Sequence, residues 1–274
     1  MVTFTATNLT ELCQTATSHG VKVVWNRGKF LNTSMLSNAT YTADWVQNVT
    51  GDMVAKAALG VYGLNLDIEH FRGNVVNGSE LERTAFTRLI CTVQSELQKV
   101  NVSLFSIDTK IWADAAHFDL KALSECTEYL VPMGYDMVSK QGASANAPLP
   151  VLLSSIQELY IEQANVLPSK IILGLPLYGY SFPCASSAFE RDAARAEIAP
   201  PAPPACRVAT PTSSTWQVGI GTIFEKIARG EATICGRDAW SQSPYMEYNE
   251  TKTAPLGRRQ VWCVRGRLVH WPPT

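Results

Sequence analysis

Tyr62-Gly63-Leu64-Asn65-Leu66-Asp67-Ile68-Glu69-His70 is the stretch on which the fold turns. Side chains alternate across a strand. Leu64, Leu66 and Ile68 therefore share one face, and Asn65, Asp67 and Glu69 the other. The apolar row needs a cover, and the flanking segments read as helices that would supply it. The polar row then faces the middle of a sheet or barrel, which is normally filled with apolar side chains. Burying two carboxylates there is costly unless they share a proton or are well hydrogen-bonded. Asp67 and Glu69 stand roughly 6.6 Å apart along the strand. Two close carboxylates repel, so one is pushed toward a raised pKa and stays protonated near neutral pH. A protonated acid beside an ionised one is the equipment for cleaving a glycosidic bond. The alternative is an edge strand with its polar face in solvent.

Outward from this stretch, short apolar runs alternate with amphipathic segments. Strands are expected at residues 2–5, 21–25, 61–69, 102–109, 128–135 and 170–175. Helices are expected at 10–19, at 42–59 with an interruption near Gly51, at 79–100 and at 150–165. Ser79 and Glu82 read as a capping box for the third of these. Leu81, Phe86, Leu89, Ile90, Val93 and Leu97 mark its apolar face. Such alternation implies right-handed βαβ units and a parallel sheet. From Ser181 the pattern changes. Pro200-Pro201-Ala202-Pro203-Pro204 reads as a loop, and 221–228 is one short helix. No repeat and no clean second domain is visible, so the tail reads as an elaboration on a barrel-like part.

Composition bounds the partners. Apolar residues make up 46% and charged residues 17%, enough to bury a core. The net charge is -1, with 23 Lys+Arg against 24 Asp+Glu, so there is no basic surplus for a nucleic acid or an anionic membrane. No apolar run reaches the ~18 residues that cross a bilayer, and the first residues show no signal peptide. The chain nonetheless carries seven N-x-[ST] triplets, at Asn8, Asn32, Asn38, Asn48, Asn77, Asn101 and Asn249. Together they point to a lysosomal or extracellular protein whose natural N-terminus is absent; the plain alternative is surface loops rich in Asn, Ser and Thr. The seven cysteines form no CxxC pair and no Cys/His cluster with zinc spacing, so no metal is expected. Cys91 and Cys126 read as core residues, and Cys184 and Cys206 bracket a loop that a disulfide could close.

A second constellation, Met133-Gly134-Tyr135-Asp136, stands at the C-terminal end of a predicted strand, where catalytic groups of parallel barrels sit. Tyr135 could donate a hydrogen bond and Asp136 accept one. Pro132 is awkward there, because it removes a ladder donor.

Together the two segments resemble the signatures D-G-x-D-x-D-x-E and M-x-Y-D of glycoside hydrolase family 18, the chitinase family. Asn65, together with the stretches 174–180, 244–249 and 259–262, is similar to its di-N-acetylchitobiase branch. The resemblance implies a (β/α)8 TIM barrel, incomplete at its first and last strands, over residues 1–262, with a divergent tail at 263–274. It also implies a substrate-assisted retaining mechanism that needs no cofactor. Glu69 would be the general acid and then the base. Asp67 would orient the acetamido N–H, and Tyr135 would hydrogen-bond the acetyl oxygen. Asp136, Asn65, Met133 and Trp25 would line or support the substrate site; for Trp25 a packed tryptophan is the equal alternative. The partners implied are N-acetylglucosamine oligosaccharides, acted on by a monomer.

The chain departs from the pattern at Tyr62, where the family carries Asp, and at Leu177, where the branch carries Trp. These departures leave room for a member that binds the sugar without cleaving it. An aldolase-like barrel would want an inward lysine, and Lys170 stands at the start of its predicted strand instead of its end. His19, His117 and His270 have no partner pattern, and His70 reads as a turn residue.

Overall fold

The computed structural model describes residues 5–29, 31, 33–68, 80–102, 104–111, 118–137, 144–183, 216–237, 240–249 and 258–262. It divides into two compact units, Met1–Met133 with Ser155–Leu173, and Gly134–Ser154 with Gly174–Thr274.

The first unit opens with helix α1 (Ala6–Ser18), whose N-terminus is capped by Thr5, accepting from the Asn8 N–H at 3.2 Å. Strand β1 (Val24–Gly28) follows, then α2 (Thr33–Ser37), α3 (Ala39–Ala57) and β2 (Gly63–Asp67). Next come α4 (Glu80–Lys99), β3 (Leu104–Thr109), α5 (Leu120–Cys126) and β4 (Tyr129–Pro132). The sheet order is β1-β2-β3-β4 and every pair is parallel. Strands joined in sequence order through helices are the repeating unit of a TIM-type α/β fold, and four such strands are described. β2 is therefore an internal strand, which removes the edge-strand alternative.

The apolar row of β2 is buried as its alternation requires. Leu64 and Leu66 are 0% exposed and Ile68 2%. They join Val49 and Met53 of α3, Phe86, Ile90 and Val93 of α4, and Phe105 and Ile107 of β3 in one core. Each such side chain contributes about 1.5–3 kcal/mol of burial. Gly63 permits the close approach of β2 to β3, because a Cβ there would lie 2.5 Å from the Leu104 carbonyl oxygen.

Several expected elements differ in the fold. α3 runs unbroken through Gly51, because Trp45, Val46, Val49 and Met53 bury its face and outweigh the roughly 1 kcal/mol that a helical glycine costs. Leu81 is 71% exposed and leaves the apolar face of α4. The expected strand at 170–175 is reduced to isolated bridges, at Ile171, which pairs with Leu130, and at Gly174, after a tight turn over Pro168–Lys170. The helix expected at 150–165 is α6 (Leu149–Ser155), continued by a π-helical segment, Ile156–Gln163. That segment buries Tyr160, whose hydroxyl pairs with Thr109 at 2.9 Å. β4 stays paired with β3 past Pro132, where the Met133 N–H bonds the Thr109 carbonyl at 2.9 Å. Cys91 and Cys126, expected as core residues, form a disulfide between α4 and α5, with Cα atoms 5.0 Å apart. The strand expected at 2–5, Ser79 of the capping box, and Cys184 and Cys206 all lie outside the described residues, apart from Thr5, the cap of α1.

The second unit contains β5 (Tyr178–Pro183), β6 (Trp216–Gly219), α7 (Ile220–Ala228), β7 (Ala232–Arg237), β8 (Pro244–Asn249) and β9 (Arg258–Trp262). Its strands form an antiparallel sheet in the order β6-β5-β9-β8-β7.

Candidate active site

In the first unit the polar face of the parallel sheet carries Asn65 and Asp67. Register places Asn26 of β1 and Ser106 of β3 on either side of Asn65. The Asn65 amide joins all of them. Its Nδ2 donates to Asn26 Oδ1 at 3.2 Å and to Asp108 Oδ1 at 3.0 Å, and its Oδ1 accepts from Ser106 Oγ at 2.7 Å. One side chain thus ties three strands together on a face where unpaired polar groups are expensive. Asp67, half-buried one alternation further on, lies beside Gly28, where a Cβ would come no nearer than 4.0 Å to its carboxylate. Glu69, expected to be the acid, lies outside the described residues.

Trp25 is not on this face. By alternation in β1 it shares its side with Arg27, which pairs with Asp52 of α3 at 3.4 Å. Lys56, also of α3, sits 4.5 Å over the Trp25 ring, which packs against the core. Met133 is 7% exposed at the end of β4. Tyr62 is 38% exposed, with the Lys22 ammonium 4.0 Å over its ring. Leu177 is 73% exposed.

The second unit holds Tyr135 and Asp136. Asp136 takes a left-handed backbone conformation, φ 62°, which Asp tolerates better than most residues. Its Oδ1 accepts from two tyrosines of β5, the Tyr178 hydroxyl and the Tyr180 hydroxyl, the latter at 2.8 Å. Gln217 Nε2 in turn donates to the Tyr180 hydroxyl at 3.1 Å. Tyr135 meets Tyr178 edge-on, with centroids 6.1 Å apart. Burial pushes the Tyr178 phenol well above its ordinary range, and the Asp136 carboxylate it bonds adds to the shift. Tyr180 is raised by burial and by Asp136, with Gln217 opposing. Both hydroxyls therefore remain donors at neutral pH. Sequence reasoning missed Asn26, Ser106, Asp108, Asn146 and Gln217. For the two on β3 the register beside Asn65 is the signal that could have found them.

Among the described residues no group of three or more His, Cys, Asp and Glu side chains could hold a metal ion, and no helix is long and apolar enough to cross a membrane.

The sequence matches the profile of Glycosyl hydrolases family 18 over residues 7–254. It is 26% identical to the di-N-acetylchitobiase of Rattus norvegicus over 272 residues, covering 94% of this chain and 67% of that one. It is 26% identical to the di-N-acetylchitobiase of Homo sapiens over 212 residues, covering 73% of this chain and 50% of that one. The chain thus spans from about half to two thirds of the length of these relatives. Among solved structures, the Group IV chitinase of Ostrinia furnacalis in complex with allosamidin aligns with a TM-score of 0.69 at 17% identity. That alignment covers 94% of this chain and 70% of the chitinase, so the TIM-barrel-type α/β fold is shared. The match runs through both described clusters, the Asn65–Asp67 face and the Tyr135–Asp136 corner, and the chain belongs to glycosyl hydrolase family 18.

Proposed function

We propose that this chain is a glycosidase that hydrolyses β-1,4 bonds between N-acetylglucosamine units, by a retaining mechanism in which the substrate's own acetamido oxygen attacks. The observation that carries the reading is the polar face of β2. Asn65 and Asp67 occupy an internal strand and point away from the packed helices, where a purely structural sheet would hold apolar side chains. Glu69, two residues beyond Asp67, protonates the glycosidic oxygen and later activates water. Asp67 holds the acetamido N–H and balances the positive charge of the oxazolinium ion. Tyr135 hydrogen-bonds the acetyl oxygen, and Asp136 accepts from the sugar or its amide. The barrel-type fold occupies residues 1–262, the segment 263–274 is a divergent tail, and the protein acts as a monomer.

A lysosomal or extracellular location is supported by the Cys91–Cys126 disulfide and the seven glycosylation triplets. Tyr62 favours a second reading, a sugar-binding member without turnover. Where the family carries an acid, this chain presents a partly exposed ring under a lysine. Release of N-acetylglucosamine from chitobiose or chitotriose, with Glu69→Gln as control, separates the two. Turnover that disappears in Glu69→Gln supports the enzyme. Turnover that survives the substitution refutes the acid assignment, and sugar binding without turnover favours the second reading.

A further inference from the structure

Asn146 is 1% exposed, and its hydrogen bonds among the described residues converge on one corner of the second unit. Its Oδ1 accepts from the backbone N–H of Asp136 at 2.7 Å. Its Nδ2 donates to the Tyr178 carbonyl at 3.0 Å. Its own carbonyl accepts from the Met137 N–H at 3.0 Å. One buried amide therefore fixes the left-handed turn at Asp136 and ties it to β5. The same strand supplies the Tyr178 and Tyr180 hydroxyls that hold Asp136 Oδ1. Among the described residues no donor meets Asp136 Oδ2, and Asp136 is exposed. The corner thus leaves one carboxylate oxygen for an external donor.

We propose that Asn146 is a positioning residue for the sugar site: it sets the Asp136 backbone so that Tyr178 and Tyr180 occupy one carboxylate oxygen and the other is presented to a hydroxyl or amide N–H of the substrate. This assignment rests on the reading of Asp136 as a sugar contact. The physical need is specific. A non-glycine residue at positive φ is held there only when its surroundings over-determine it. No residue lacking both a donor and an acceptor at position 146 can bridge the Asp136 N–H and the Tyr178 carbonyl at once. Aspartate keeps the acceptor and loses the donor, facing the Tyr178 carbonyl with a second oxygen.

Asn146→Ala and Asn146→Asp separate positioning from simple support of the fold. In the full chain acting on chitobiose, Asn146→Ala is expected to raise KM about tenfold, the worth of one lost charge-assisted hydrogen bond. Asn146→Asp, which sets a buried carboxylate against the Tyr178 carbonyl, is expected to raise KM at least as much as Asn146→Ala. A residue that only supports the fold would lower the melting temperature and leave KM of the folded protein unchanged; that result overturns the proposal. Amide hydrogen exchange over residues 134–137 needs no substrate. Faster exchange at Asp136 in Asn146→Ala, with β5 still protected, supports the positioning role even if the chain proves inactive on chitobiose. Unchanged exchange at Asp136 refutes it. Inactivity of the wild-type chain with the exchange result intact counts against the proposed reaction alone.

Discussion

Breaking the Cys91–Cys126 bond tests the packing of α4 against α5. The two cysteines are 35 residues apart in sequence. In the chain-entropy account, opening a loop of that length frees about 4 kcal/mol of denatured-state entropy. For a domain of this size about 1 kcal/mol moves the midpoint by about 2–4 °C, so reduction is expected to lower it by about 8–16 °C. The assay is thermal unfolding followed by circular dichroism, with and without a reductant, and with Cys91→Ser/Cys126→Ser as the oxidation-blind control. Peptide mapping without reduction should recover the Cys91 peptide linked to the Cys126 peptide. A midpoint that moves by less than about 2 °C on reduction, or a map in which either cysteine is free or joined elsewhere, refutes the reasoning. A secreted chain tolerates dependence on this bond, whereas the reducing cytosol would not preserve it.

Gly63→Ala places a methyl 2.5 Å from the Leu104 carbonyl oxygen, within the backbone of a neighbouring strand; chemical denaturation should show a loss of about 1–3 kcal/mol. Tyr160, Tyr178 and Tyr180 are all raised above the ordinary 10.0 in the folded protein. The unfolded chain therefore ionises first. The stability these phenols contribute is complete below pH about 10 and is lost as pH rises through their folded values. An alkaline unfolding curve should start near that pH, and Tyr160→Phe should make it shallower while costing about 1–3 kcal/mol at neutral pH for the lost hydrogen bonds to Thr109 and to the Lys110 carbonyl.

The parallel sheet was legible because β2 declares both of its faces. Leu64, Leu66 and Ile68 require a cover, and the apolar spacing of α4 supplies it through Phe86, Ile90 and Val93. Trp25 illustrates the limit. A tryptophan in a strand is equally suited to a packed face and to a sugar wall, and only the pairing of β1 shows it on the side of Lys56 and Asp52. The disulfide was illegible for a related reason: apolar neighbours describe where Cys91 and Cys126 sit, not what stands opposite. Residues 170–175 look like a strand by β-branched content, but after the tight turn at Pro168–Lys170 they pair through isolated bridges, Ile171 with Leu130 among them, instead of a continuous ladder. Asn146 gives no sequence signal at all, since its role depends on two backbone groups, at Asp136 and Tyr178, that are distant along the chain.

Asn65 and Asp108 make the polar face a matched set, and exchanging them tests it. The Asn65 amide has two N–H groups and one carbonyl oxygen. Ser106 donates to the oxygen, so both N–H groups face acceptors, Asn26 Oδ1 and Asp108 Oδ1. A carboxylate at position 65 could still accept from Ser106, but it would meet Asp108 Oδ1 at the 3.0 Å now spanned by a donor. Asn65→Asp should therefore cost about 2–3 kcal/mol near neutral pH, through a lost hydrogen bond to a charged group and a new like-charge contact. The penalty should shrink as pH falls and one carboxyl takes a proton. Asp108→Asn alone removes the charge that Asn65 serves. The double variant Asn65→Asp/Asp108→Asn restores a donor opposite a carboxylate with the roles reversed, so a double-mutant cycle should show a favourable coupling of about 1–3 kcal/mol. Effects that add within about 0.5 kcal/mol would mean that the two side chains do not act on each other, and the polar face of β2 would then be a row of separate contacts instead of one network.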